Sequence, residues 1–124
     1  MLDHIGFPVT DYERAKAFYE KALAPLGVTA LYEEPGKDSN SGFGENGKAY
    51  FWIWHSETPV RGLHVAFTAK SRSTVEAFYR AALAAGGRDN GAPGLRPHYH
   101  ANYYGAFVLD PDGNNVEAVC HKPA

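Results

Sequence analysis

The spacing of apolar residues along this chain changes from the two-residue period of a strand to the 3.6-residue period of a helix and back again. Residues 3–9 alternate, with Ile5, Phe7 and Val9 on one face, which predicts a strand covered on one side. Residues 12–23 then place apolar side chains at helical spacing, and a proline and a glycine follow directly. Three further β-prone segments come next, so the order predicts a βαβββ unit; these segments lie near residues 28–33, at 43 and at 49–54.

The second half of the chain repeats this order. GLHVAFTAKSRSTVEAFYRAALAAGG at residues 62–87 aligns without a gap with LDHIGFPVTDYERAKAFYEKALAPLG at residues 2–27, which sets His64 on His4. A repeat of this length indicates one structural unit used twice. The rest of the second unit predicts a helix, a weak strand, a Gly/Pro-rich loop and two final strands, near residues 73–85, 87–90, 91–97, 103–109 and 115–120, which completes a second βαβββ unit.

The predicted fold class is therefore α+β, with two paired βαβββ modules. We expect a single domain over residues 1–124, made of module 1 (1–61) and module 2 (62–124). Side by side, the modules would form a cup-shaped sheet with the helices on its outer face. His4 and His64 alternate with the apolar positions of their strands, so both are expected inside the cup.

One acidic residue changes the significance of these histidines. Glu117 lies in the last strand between Val116 and Ala118, where an unpaired carboxylate is costly. His4, His64 and Glu117 together form a two-histidine, one-carboxylate set, which is typical of Fe(II) and also suits Zn, Ni or Mn. The competing interpretation is ordinary exposed histidines and a carboxylate at the rim of the sheet.

Composition narrows the class of protein. The 12 Lys and Arg residues nearly balance 14 Asp and Glu, which argues against nucleic-acid partners. No segment is apolar enough to span a membrane. The strand pattern already begins at Leu2, so no signal peptide is expected. A single cysteine excludes an internal disulfide, so a cytoplasmic location is expected. Aromatic residues make up 14% of the chain, which suggests a lined cavity or an interface.

A dense group of aromatic and titratable side chains precedes the penultimate strand. His98 and Tyr103 are candidate substrate contacts, and His100 is a candidate catalytic acid or base. The alternative is a surface loop that leads into an edge strand. Trp52 and Trp54 share one face of their strand, where core packing is the simpler expectation.

Three segments together resemble the vicinal oxygen chelate superfamily, which contains glyoxalase I, bleomycin resistance proteins and extradiol dioxygenases. They are LDHIGFPVTDYERAKAFYEKAL, GLHVAF and FVLDPDGNNVEAV. The resemblance implies paired βαβββ modules around a divalent metal, with His4, His64 and Glu117 as its ligands. It covers nearly the whole chain, and it does not identify one reaction.

The resemblance leaves the activity open among three interpretations. Glyoxalase-type members carry a fourth ligand where the repeat places Phe51, or Trp52 if the alignment slips by one residue. Phe51 is thus expected to face the substrate, and the three-ligand set favours a dioxygenase-like enzyme acting on a small molecule with vicinal oxygens. The alternatives are a glyoxalase-type lyase or isomerase, and a metal-free protein that binds a planar aromatic drug. Resemblance to the last group also implies a homodimer.

Overall fold

The computed structural model describes residues 1–124, and these form two βαβββ modules, as predicted. The strands of module 1 are β1 to β4 and those of module 2 are β5 to β8, with one helix in each module and a short 3₁₀ turn, Ala24–Leu26, after the first. The elements are β1 (Ile5–Val9), α1 (Tyr12–Leu23), β2 (Thr29–Glu34), β3 (Asn40–Glu45), β4 (Lys48–His55), β5 (His64–Thr68), α2 (Arg72–Ala84), β6 (Arg88–Leu95), β7 (Tyr104–Leu109) and β8 (Asn115–Cys120).

Each module has its own four-stranded sheet. The strand orders are β1-β4-β3-β2 and β5-β8-β7-β6, so the first strand of each module lies beside the last. These two neighbours run parallel, and the other pairs run antiparallel. The two sheets are not hydrogen-bonded to one another, so the two halves of the predicted cup are separate sheets.

Both helices begin at a side-chain cap. Asp11 accepts a hydrogen bond from the backbone N–H of Arg14, and Ser71 accepts one from that of Thr74. Neither helix is long and apolar enough to cross a membrane. The two helices pack against each other and against the sheets.

One hydrophobic core serves both modules. It contains 23 buried residues drawn from both helices and both sheets. Phe51 of β4 and Phe67 of β5 meet across the module boundary, with ring centroids 5.3 Å apart. The covered faces of the two sheets join in this core. The opposite face of each sheet is not covered by a helix and is therefore where a binding site could form.

The expected loop over residues 91–97 is wrong for residues 91–95. Strand β6 continues to Leu95, on the edge of the second sheet. Its pairing with β7 shifts register at Gly91, where φ is +150°, and again before Gly94. Proline has no N–H to donate to a neighbouring strand, so it is confined to edge strands and bulges. The bulged edge strand β6 can therefore contain Pro93.

The DPDGN segment connects the two modules. Asp110 is only 2% exposed and accepts hydrogen bonds from the hydroxyl of Tyr19 on α1 and from the backbone N–H groups of Asp112 and Asn114. The carboxylate of Asp112 accepts the backbone N–H of Thr10 at 3.1 Å. This segment, which is part of one of the three that carry the resemblance, therefore has a structural role in this chain.

Replacing Asp110 by Ala should lower the free energy of unfolding by about 3 kcal/mol, because buried donors lose their only acceptor. Asp112→Ala is the matched control, and it should cost about 1 kcal/mol since its partner Thr10 is exposed. Urea unfolding of both variants measures the difference. Equal losses would contradict the assignment of Asp110 as the buried centre of this turn.

Candidate functional site

The open face of the second sheet presents a carboxylate at its centre. Alternation along β8 turns Glu117 away from the helices, and the register places it between Ala66 of β5 and Phe107 of β7. His64 begins β5 and pairs with Asn115, so it lies diagonally next to Glu117. The folding of the last sheet thus brings together two residues that are 53 positions apart.

His64 and Glu117 are in direct contact. His64 Nε2 lies 2.8 Å from Glu117 Oε1. The Glu117 side chain is 1% exposed, whereas the His64 side chain is 52% exposed. A buried carboxylate is therefore paired with an imidazole that opens towards solvent, and this is a donor set from which a metal could be bound.

The second oxygen of Glu117 has its own partner. The hydroxyl of Tyr103 donates a short hydrogen bond to Oε2. Burial, followed by the bond to this carboxylate, raises the pKa of Tyr103 well above its ordinary value, so the hydroxyl keeps its proton at neutral pH. Gly105 makes room for the contact, because a Cβ there would lie 3.3 Å from Oε2 and 3.2 Å from the Tyr103 ring.

A groove of about 580 Å³ lies over this pair. Its walls are Phe107, whose ring centroid is 6.2 Å from that of His64, and the aromatic side chains of residues 98–103. The predicted contacts His98 and Tyr103 both line it. Sequence reasoning missed Phe107, although its parity with Tyr103 along the strand could have identified it.

His100 lines the same groove, but its ring nitrogens are already engaged. Nδ1 accepts the backbone N–H of Asn102 at 3.1 Å, and Nε2 lies 2.5 Å from Nδ1 of His121. In the neutral pair, the His100 proton is thus on Nε2 and is donated to His121. The planes of the two exposed rings are 26° apart and their centroids 4.8 Å apart, so the rings lie end to end with these two nitrogens facing each other.

His4 does not join His64 and Glu117 within the chain. It is exposed, and its Nδ1 lies 2.7 Å from Asp3, which also binds Lys48. No three His, Cys, Asp or Glu side chains are grouped closely enough to hold a metal ion. Both His4 and His64 line a cleft of about 390 Å³ between the modules.

The open face of the first sheet carries a separate groove of about 620 Å³, lined by His4, Gly6, Asn40, Trp52 and Trp54. The expectation that the tryptophans fill the core is wrong. Each indole lies close against a glycine, since an added Cβ would come 2.7 Å from the Trp54 ring at Gly6 and 2.7 Å from the Trp52 ring at Gly42. Trp54 is 40% exposed, so the face has an aromatic floor.

The predicted equivalence of Glu117 and Phe51 is wrong by one residue. Gly6 pairs with Trp52 as Ala66 pairs with Glu117, so Trp52 is the counterpart of the carboxylate. Phe51 lies on the opposite face and is fully buried in the core, where it also borders the cleft between the modules; its contact with substrate stays a prediction. The two hairpin turns differ in length, and for this reason an alignment through their glycines slips.

The donor chemistry of the second sheet fits a divalent metal in part. An imidazole nitrogen and a buried carboxylate oxygen on one face are ligands that Fe, Zn, Ni and Mn accept. A complete site needs a third donor, and the nearest histidines of the loop, His98 and His100, are not grouped with this pair closely enough to supply it.

Comparisons with known proteins agree with this fold. The family model described as the glyoxalase/bleomycin resistance protein/dioxygenase superfamily matches residues 1–118. No curated protein sequence matches the chain.

Solved structures extend the comparison. A glyoxalase/bleomycin resistance protein from Albidiferax ferrireducens T118 is 28% identical, with 99% of each chain covered and a TM-score of 0.81. A glyoxalase I mutant from Zea mays is 26% identical with a TM-score of 0.72, and the alignment covers 95% of this chain and 45% of the maize chain. A family enzyme from Burkholderia phytofirmans PsJN is 20% identical over 97% and 98% of the chains, with a TM-score of 0.73, and shares the fold.

Proposed function

Because the chain belongs to the glyoxalase/bleomycin resistance protein/dioxygenase superfamily, we propose that it is a divalent-metal-dependent enzyme whose substrate is a small molecule with vicinal oxygens. The observation that carries the proposal is the contact of the nearly buried Glu117 carboxylate with His64 beneath an open groove. A buried carboxylate without a compensating charge is costly, and a bound cation would offset that cost.

His64 and Glu117 would hold the metal, and His4 of a second copy would be the third ligand. The two open sheet faces hold separate grooves, one with His4 and one with the other two ligands. In a homodimer, module 1 of one copy can face module 2 of the other. The two-fold symmetry then forms two sites, each with His4 from one copy and with His64 and Glu117 from the other. Fe(II) is favoured, since two histidines and one carboxylate leave coordination positions open.

The reaction class we favour is dioxygenase-like. Trp52 takes the position in the first sheet that matches Glu117, so that sheet offers no fourth carboxylate there. The metal, when bound, would act as a Lewis acid towards two adjacent substrate oxygens. The chain itself would orient the substrate against Phe107 and His98, and His100 together with His121 would exchange a proton at the groove mouth.

Metal loading followed by two activity assays tests this function. Protein loaded anaerobically with Fe(II) should consume oxygen when a catechol is added, and it should not isomerise a hemithioacetal. Isomerisation with Zn, Ni or Mn and no oxygen uptake would replace the dioxygenase with a glyoxalase-type lyase or isomerase. Protein that stays empty after incubation with all four metals would overturn both enzyme proposals.

A second candidate function is the binding of a planar aromatic molecule without catalysis. The observation in its favour is the floor made by Trp52 and Trp54 over Gly6 and Gly42. Flat indoles offer stacking surface to such a ligand.

If this second function holds, chelator-treated protein should bind a planar aromatic dye. Trp54→Ala should weaken dye binding about tenfold, because the exposed indole supplies stacking area. Tryptophan fluorescence quenching measures the affinity, with Leu95→Ala as the control at an exposed apolar residue of the other sheet. Binding that needs metal, or that the Trp54 variant retains in full, would rule this function out.

A further inference from the structure

The two oxygens of Glu117 face different surroundings. Oε1 lies beside His64, whose half-exposed ring opens into the groove. Oε2 lies against the sheet near Gly105, where it accepts the hydroxyl of Tyr103. The carboxylate is therefore presented with one oxygen towards the groove and the other occupied from within the protein.

Tyr103 is itself held in place by three neighbouring rings. Its ring centroid lies 4.8 Å from that of Tyr99, 5.4 Å from that of His100 and 5.3 Å from that of His121, each in an edge-to-face arrangement. This packing keeps the hydroxyl directed at Oε2 without help from a ligand. A donor fixed in this way limits the rotation of the carboxylate about its last bond.

We propose that Tyr103 is a positioning residue that makes Glu117 a one-oxygen metal ligand. With Oε2 engaged by the Tyr103 hydroxyl, only Oε1, next to His64 Nε2, is available for the metal. A hydrogen-bond donor to a metal-binding carboxylate sets the orientation and the basicity of that carboxylate. This inference rests on the proposed metal-dependent function, and it replaces the expectation that Tyr103 contacts the substrate.

The chain contains a matched control for this tyrosine. The neighbouring Tyr104 also donates its hydroxyl to a glutamate, Glu76 of α2, at 2.7 Å. That pair lies away from the groove over Glu117, and neither of its members lines it. Tyr104→Phe thus removes the same kind of hydrogen bond, one residue further along, without touching the candidate ligands.

Cobalt(II) binding to the whole protein tests the proposal, because its visible bands report the number of ligands. Tyr103→Phe should bind Co(II) about tenfold more weakly than the wild type. This is the lower end of the loss in metal affinity that follows when a residue hydrogen-bonded to a metal ligand is replaced. Its visible bands should also lose intensity, since a freed Oε2 adds to the coordination. Tyr104→Phe should match the wild type in both respects, and a Tyr103→Phe protein that also matched it would overturn the proposal.

A measurement without metal separates this inference from the proposed function. The ring-nitrogen NMR signals of His64 should shift in metal-free Tyr103→Phe, as Glu117 is freed to turn, and should stay in place in Tyr104→Phe. If wild-type protein takes up no Co(II), the metal-dependent function and the one-oxygen ligand both fall. Unmoved His64 signals would show separately that Tyr103 does not position Glu117.

Discussion

Glu117→Gln should weaken the binding of Zn or Mn by at least about 100-fold, more than the loss of an outer hydrogen-bonding partner costs. The substitution keeps the shape of the side chain and removes its charge. The charge is decisive because Glu117 is only 1% exposed. A cation bound there has lost its water, and a neutral amide would offset little of that desolvation cost. Calorimetric titration of metal into chelator-treated protein measures the loss.

The matched control is Glu76→Gln, since Glu76 accepts a tyrosine hydroxyl much as Glu117 does but lies on a helix. Its metal affinity should equal that of the wild type. Glu117→Gln protein with wild-type affinity would remove Glu117 from the metal site. A similar loss in both variants would point to general damage to the fold and not to a lost ligand.

Mixing two inactive variants should restore metal binding. His4→Ala and Glu117→Gln each lack one ligand, so neither should bind metal alone. If the site combines His4 of one copy with His64 and Glu117 of another, a mixed dimer has one complete site. Random exchange makes half of the dimers mixed, so about a quarter of the wild-type sites should return.

A second mixture serves as the control. His64→Ala and Glu117→Gln affect the same half of the site, because these two residues touch within one sheet. Their mixed dimer has no complete site, and no binding should return. Metal content after joint unfolding, refolding and dialysis measures both mixtures. Failure of the first mixture, or recovery in the second, would contradict the exchange of modules between copies.

The repeat and the periodic patterns were sufficient to predict the modules. Apolar side chains at strand and helix spacing define the elements locally. The constant offset between the two copies of the repeat identifies which strands of the two halves are equivalent. These patterns also put His64 on the face opposite the core and Glu117 within the last strand. The contact between them then follows from the parallel pairing of β5 with β8.

Local patterns failed where the outcome depends on turn length or on contacts between distant segments. The glycines of the two hairpins suggested Phe51 as the counterpart of Glu117, and the register gives Trp52. The one-residue difference moves a side chain to the other face of the sheet, which is why Phe51 is in the core and Trp52 in a groove.

The sequence by itself determined the βαβββ repeat, the family resemblance and the types of side chain available for a metal. Only the tertiary structure decided that Glu117 is buried against His64 and bonded by Tyr103, and that His4 lies apart from them. The physical reason is that alternation assigns a residue to a face from its neighbours alone. Which residues meet on that face depends on register, sheet separation and packing, and these involve the whole chain.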